Sequence, residues 1–408
     1  MSSRRAPWVT LGVVVTLGAA VLVVWFARPA QAPGPAPSTA APTVAPTPSP
    51  SPTPSPTPSP TPSASADAWS GWTLEQQVGQ VFMVGVNVSE PEQVSTDAIS
   101  KDHVGNLFLQ GRTTAGAESV RALVKSFTSL VGPASTRGTP LLVATDQEGG
   151  EVQVLRGPGF STIPSAVEQA RLSPADLRAR AATWGAELAS VGVNLDLAPV
   201  MDLVDGPPAA NPPIGALDRS YGFTSSSVTS HANAFSAGLS SAGVGVSIKH
   251  FPGLGRVTAN TDNTAGVTDT VTTRHDAAVD VFRSGIAADP MSVMVSTAIY
   301  SRIDPDNPAA FSPVVVGGML RGDLGFDGLV VTDDLSGAKQ VAAWSPGERA
   351  IRALSAGVDL VLVSKEPTVA HEMVAAVVER ARQDPAFAEL VRTAAQRVLV
   401  AKGQWPPS

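Results

Sequence analysis

The sequence predicts an α/β protein whose main body is a single (β/α)8 barrel of the TIM type. A hydrophobic N-terminal segment and a Pro/Ser/Thr-rich linker precede it. Three observations lead to this. Eight short apolar runs recur along the chain, stretches with helix-start chemistry lie between them, and about 340 residues remain after the linker, which is the size of one such barrel.

Residues 1–32 form the first segment. Arg4 and Arg5 are followed by APWVTLGVVVTLGAAVLVVWFA (6–27), which carries no charge. At 1.5 Å per residue a helix of this length spans a bilayer core of roughly 30 Å. A retained transmembrane anchor is one expectation, with the two arginines inside and the remainder of the chain facing outward. A cleaved signal peptide is the other, with Ala30-Gln31-Ala32 as its cleavage site, although Pro33 directly after it disfavours cleavage. A buried core helix is the third and blandest reading. Residues 33–66 contain no charge and alternate Pro with Ser, Thr or Ala. Such a segment cannot bury apolar surface and favours extended polyproline II, so it is expected to be a disordered stalk or a plain linker. The catalytic or binding body is then 67–408.

Within that body the expected strands are VGQVFMVGV (78–86), GNLFLQ (105–110), PLLVATD (140–146), VNLDLAPV (193–200), VGVSIKH (244–250), SVMVSTAIY (292–300), GLVVTDD (328–334) and VDLVLVS (358–364). Runs this continuously apolar imply parallel strands buried on both faces. Helix starts are readable at Ser173-Pro174-Ala175-Asp176 and Ser345-Pro346-Gly347-Glu348. Thr73-Leu74-Glu75-Gln76 resembles a capping box.

Composition and motifs narrow the chemistry. A net charge of −7 and the lack of a basic cluster beyond Arg4-Arg5 argue against a nucleic-acid partner. With no cysteine there is no disulfide, thiolate site or cysteine nucleophile. No GxGxxG or P-loop follows a strand, there is no GxSxG elbow, and the five histidines are scattered, so neither a cofactor nor a catalytic metal is expected. What stands at the strand ends is carboxylates with Arg, Lys and His: Asp146, Asp202, Lys249-His250 and Asp333-Asp334. In a barrel these ends form the working rim. The combination suits polyol binding and glycoside hydrolysis, in which a carboxylate nucleophile faces a proton donor.

These residues carry a resemblance. Met319-Leu320-Arg321-Gly322-Asp323 with Gly328-Leu329-Val330-Val331-Thr332-Asp333-Asp334-Leu335-Ser336 resembles the active-site signature of glycoside hydrolase family 3. Lys249-His250-Phe251-Pro252-Gly253-Leu254-Gly255 is similar to that family's KHFPGxG segment. Asp146-Gln147-Glu148-Gly149-Gly150 and Ile214-Gly215 with Arg219-Ser220-Tyr221-Gly222 resemble its sugar-binding segments. The likeness covers 70–400 in the family's order, and the single-barrel length resembles the bacterial β-N-acetylglucosaminidases acting on peptidoglycan-derived sugars. It implies Asp333 as the nucleophile of a retaining, exo-acting hydrolase, with Asp146, Arg219, Lys249 and His250 holding the hydroxyls of the sugar. Asp334 is expected to be a structural or tuning carboxylate.

The chain also departs from the pattern. Where the Asp-His acid pair of these glucosaminidases stands, this sequence reads Asn260-Thr261-Asp262, leaving Asp262 as the candidate general acid or a surface carboxylate. Val154 and Glu151 replace frequent arginines, so Arg156 becomes the candidate substrate contact provided the backbone stays extended. Thr297 stands where His is frequent. The leading expectation is therefore a monomeric, extracytoplasmic glycosidase, membrane-anchored or secreted, with a carbohydrate substrate. Another β-glycoside or a phosphorolytic acceptor is an alternative on the same fold. A catalytically impaired sugar-binding protein of the cell envelope is the rival from a different class.

Overall fold

The computed structural model describes residues 69–404. The expectations for 1–32 and 33–66 lie outside the described residues. Eight parallel strands form the central sheet: β1 (Phe82–Asn87), β2 (Asn106–Gln110), β3 (Leu142–Thr145), β4 (Leu195–Asp196), β5 (Gly245–Phe251), β6 (Ser292–Val295), β7 (Leu329–Thr332) and β8 (Val361–Val363). They run in spatial order from β7 down to β1 and then β8, with Phe82 opposite Val361. A parallel bridge between Val331 and Leu360 brings β7 against the entry to β8, so the sheet nearly closes into a barrel.

Alternation along the strands creates two cores. Met83, Phe108, Leu142, Ala144, Leu195, Met294, Leu329 and Leu362 point into the barrel, where they pack as one cluster. Their neighbours, such as Val84, Val143, Val246, Val293 and Val330, point outward into the larger cluster beneath the helices. Each strand is thus buried on both faces, as its continuous apolar run implied. The helix starts also follow their chemistry. The Ser173 hydroxyl accepts from Asp176 N at 3.1 Å, and full capping boxes form at Thr73/Gln76 and Ser345/Glu348.

The expected boundaries need three corrections. Val78–Gln80 belong to the helix that Thr73 caps, Leu74–Gln80, so β1 begins at Phe82. The run 292–300 is not one strand, because β6 stops at Val295. Ile299–Tyr300 instead join Thr268–Asp269 and Asp304–Pro308 in a separate three-stranded sheet. In 193–200 only Leu195–Asp196 pair as a strand, with Val200 bridging Lys249 further on. Pro199, lacking an N–H, sits in the interruption.

The lower end of the barrel is held by the last helix, Pro385–Ala401, whose Val398 enters the interior cluster. Asp359, at the entry to β8 and 1% exposed, accepts from Arg321 at 2.5 Å, Arg397 at 2.9 Å and Val330 N at 2.8 Å. Arg321 also donates to the carbonyls of Phe326 and Gly328, both at 2.7 Å. This network ties the π-helix Val314–Asp323, β7 and the C-terminal helix together. Removing one member leaves buried charge uncompensated. Asp359→Ala is expected to lower the unfolding free energy by about 3–5 kcal/mol, measured by urea titration; a loss below about 1 kcal/mol would show that the network contributes little.

Candidate active site

The C-terminal ends of the strands open onto a cavity of about 310 Å³. Its floor is the top of the interior core, Phe108, Leu197, Met294 and Leu362, and its walls are polar. Asp146, Arg219, Lys249, His250, Asp262 and Asp333 all line it. Six of the seven site residues expected from the sequence therefore meet in one place.

A buried charge cluster forms one wall. The Lys249 ammonium, 2% exposed, lies 2.6 Å from Asp146 Oδ1 and 2.7 Å from Glu148 Oε1. Arg219 forks the same Glu148 through Nε at 2.9 Å and Nη2 at 2.7 Å, while its Nη1 donates to Pro213 O at 2.8 Å. Burial alone would push the Glu148 carboxyl up, but the Arg219 and Lys249 charges outweigh it and hold it at about 2. Burial likewise opposes the charged form of Lys249, and the Asp146 and Glu148 carboxylates reverse that and raise its pKa. The donors are not exhausted. Lys249 keeps one N–H, Arg219 keeps others, and Asp146 keeps its second oxygen, all available for hydroxyl groups.

Lys249 and His250 are consecutive in β5, the peptide between them is cis, and both line the cavity. His250 Nδ1 lies 2.7 Å from Asp202 Oδ2, and its backbone N donates to Oδ1 of the same carboxylate at 3.0 Å. Leu254 N donates to that oxygen as well, at 2.8 Å, so Asp202 folds the KHFPGLG segment around itself. The segment also needs a residue without a side chain at 255, where a Cβ would lie 1.9 Å from the Leu203 carbonyl oxygen.

Asp333 follows β7 directly. Its backbone N donates to Val295 O at 2.9 Å and its Oδ1 accepts from Asp334 N at 2.8 Å, while Oδ2 has no hydrogen-bond partner among the described residues. Burial pushes the Asp333 carboxyl up to about 6; the His250 ring opposes this, and the Asp262 carboxylate adds to it. Asp334 is structural, as expected. Its two oxygens accept from Ser336 N and Oγ, Gly337 N and Ser364 N, stitching the β7 loop to the end of β8. Asp262 sits on the loop after β5, where its N donates to Asn260 Oδ1 at 2.8 Å.

Comparison with known proteins places this geometry. The family model described as Glycosyl hydrolase family 3 N terminal domain matches residues 73–401. The chain belongs to glycosyl hydrolase family 3. It is 34% identical over 292 residues to a beta-hexosaminidase of Idiomarina loihiensis, covering 70% of this chain and 84% of that protein. Its fold superposes on the crystal structure of a beta-N-acetylhexosaminidase from Beutenbergia cavernae with a TM-score of 0.80 and 61% identity, over 81% of this chain and 98% of the other. A family 3 beta-N-acetylglucosaminidase from Paenibacillus sp. matches with a TM-score of 0.73 and 31% identity, over 81% and 62% of the two chains. As a family 3 member the protein is a glycoside hydrolase acting on O-glycosyl bonds of a carbohydrate substrate.

One expected contact of this family 3 site lies elsewhere. Arg156 does not line the cavity, because the chain does not stay extended after Asp146. It turns back as a hairpin, Gln147–Gly149 with Val152–Gln153, and Arg156 donates to the carbonyls of Gly150 at 2.7 Å and Gln153 at 3.1 Å. Val154 is buried, and Glu151 is exposed beside Arg112. Conversely, two residues that organise the site had no role assigned from the sequence. Glu148 stands two positions after Asp146, the spacing that puts side chains on one face of an extended chain. Asp202 was visible as a rim carboxylate, but its partner His250 is 48 residues away.

Asp196 is a further buried carboxyl in this region. One oxygen accepts from Gln147 N at 2.9 Å and the other has no partner among the described residues. Burial pushes its pKa up to about 8. Between the ordinary carboxylate range and pH 8 the folded state therefore holds a proton that the unfolded state has lost, and stability falls as pH rises through that window. Asp196→Asn is expected to gain melting temperature relative to the parent as pH goes from 5 to 8, followed by thermal denaturation. A difference that does not change with pH would refute this.

Proposed function

We propose that this family 3 hydrolase is a retaining, exo-acting β-N-acetylhexosaminidase that removes β-linked N-acetylglucosamine from peptidoglycan-derived sugars. The observation that carries the reading is Asp333, with one oxygen held by a backbone N–H and the other free, in the same cavity as the Lys249–Asp146–Arg219 wall. The names and identities of the relatives support the N-acetylhexosamine preference. A cavity of about 310 Å³ is at the small end for ligand sites and suits one terminal sugar better than an internal unit of a long chain.

In this reading Asp333 attacks the anomeric carbon, forming a glycosyl-enzyme ester as the bond to the leaving oxygen breaks. Asp262 gives its proton to that oxygen. Water then attacks the anomeric carbon, giving one of its own protons to Asp262 as its oxygen bonds there, and Asp333 leaves as carboxylate. Asp146, Arg219, Lys249 and His250 hold the ring hydroxyls, and the apolar floor takes a C–H face of the sugar. Placement outside the cytoplasm as a monomer, anchored or exported through residues 1–32, belongs to the same proposal and rests on Arg4-Arg5 and the uncharged run after them.

Asp333→Ala in the full-length protein is expected to lower kcat/KM on 4-nitrophenyl β-N-acetylglucosaminide by at least about 10³-fold. The corresponding β-glucoside should be a poor substrate for the parent. If the parent binds N-acetylglucosamine without turning over either glycoside, the protein is instead a sugar-binding protein of the envelope.

Asp333 must be ionised to attack, so the acid limb of kcat/KM should fall as pH drops through about 6. Asp262→Asn removes a like charge that raises Asp333, so on an activated aryl glycoside the limb should move to lower pH. A limb that stays where it is would contradict the coupling of the two carboxylates.

A further inference from the structure

The loop that carries Asp262 is anchored at both ends. Upstream, Asn211 Nδ2 donates to the carbonyls of Leu254 and Val257, at 2.7 and 2.8 Å. Downstream, Val267 O accepts from Ile299 N at 3.0 Å, and Thr268–Asp269 pair with Ile299–Tyr300. Between these anchors, residues 258–266 are joined to the more distant described chain by two hydrogen bonds. Gln340 N donates to Thr261 O at 3.0 Å and Lys339 N to Asp262 O at 3.2 Å. The Gln340 side chain, 5% exposed, clasps the base of the same loop: its Oε1 accepts from Val267 N at 2.8 Å and its Nε2 donates to Val267 O at 3.1 Å.

Gln340 is in the short 3-10 helix Lys339–Val341, which begins six residues after Asp333. The segment leading away from Asp333 thus holds the Asp262 loop at Thr261, Asp262 and Val267. Within the loop, Asn260 closes a turn by accepting from Asp262 N at 2.8 Å, and Asn263 N donates to Asn260 O at 3.2 Å. Among the described residues no carboxylate orients Asp262 in the way an aspartate orients an imidazole; the backbone around it is held instead.

We propose that Gln340 is a positioning residue that fixes the 258–267 loop, and with it the Asp262 carboxyl, relative to Asp333. This rests on the reading of Asp262 as the proton donor. Gln340 touches neither sugar nor reacting atoms; its effect is exerted through the placement of the donor. General-acid help matters most when the leaving group is poor, so loss of the clasp should appear as a leaving-group dependence.

The test measures kcat/KM, which reports steps up to glycosyl-enzyme formation, for the full-length parent, Asp262→Ala, Gln340→Ala and Gln340→Glu. The substrates are β-N-acetylglucosaminides running from 2,4-dinitrophenyl to phenyl and methyl leaving groups, and each variant's melting temperature is recorded alongside. Gln340→Ala is expected to lose about 10- to 100-fold on the poor leaving groups and less than about 3-fold on dinitrophenyl. Gln340→Glu keeps an acceptor for Val267 N but loses the donor to Val267 O, so it should fall between. It also carries the test if the alanine variant folds poorly. Loss of equal size across the series, or no loss, would overturn the role of Gln340 while a leaving-group-dependent Asp262→Ala left the donor assignment standing. A flat response of Asp262→Ala would remove the donor assignment and this inference with it.

Discussion

Lys249 carries an ammonium into the top of the barrel with almost no access to water, and the site is arranged around keeping it charged. Removing an ion from water costs several kcal/mol even after relaxation. Two carboxylates, Asp146 and Glu148, offset that cost at 2.6 and 2.7 Å, and Glu148 then needs Arg219 to balance its second oxygen. Lys249 comes from β5, the two acids from the turn after β3, and Arg219 from the long connection after β4. Three otherwise independent connections are thereby locked in one arrangement. The cavity wall cannot loosen at one point without leaving a buried charge unpaired.

The same cluster bears on the proposed role of its members in holding a sugar. A lysine and an arginine free in a pocket would have to lose rotamer freedom on binding. Here that ordering has happened during folding, because Lys249, Arg219 and Asp146 are already held by ion pairs at the cavity lining. Asp202 does the same for His250: three donors converge on one carboxylate and fix the segment from His250 to Leu254 before any ligand arrives.

Much of this was readable in advance for a physical reason. Parallel strands buried on both faces leave continuous apolar runs, and capping chemistry marks where the helices between them begin. The rim residues were readable because several charges directly after such runs fall on one predicted rim; any one of them alone has a structural explanation, as the Asp334 bonds show. What failed was local. The run 78–86 hides a helix end, because Val78 is apolar for packing and not for strand pairing. Arg156 was placed by assuming extended backbone past Asp146, whereas Val154 N turns back to Asp146 O and the arginine is taken up by hairpin carbonyls. Long-range pairs such as Asp202 with His250, or Gln340 with Val267, leave no local pattern, since each residue alone looks like any polar residue in a loop.

In the proposed mechanism, a carboxylic acid at position 262 in place of a histidine donor changes the electrostatics of the reaction. An imidazolium becomes neutral when it gives up its proton, so it adds no anion beside the nucleophile. A carboxylic acid becomes an anion, and Asp262 lines the same cavity as Asp333, whose own carboxyl is held up to about 6 by burial, with Asp262 adding to it. The proposed mechanism requires an arrangement in which Asp333 is ionised as it attacks. His250 favours that arrangement, because its charge acts on Asp333 in the opposite sense to burial. In the proposed second step Asp333 is esterified and uncharged, and the same Asp262 acts as base for water. A pair of carboxylates can therefore reverse roles between the two steps without an imidazole, provided the distance between them is fixed by the backbone that carries them.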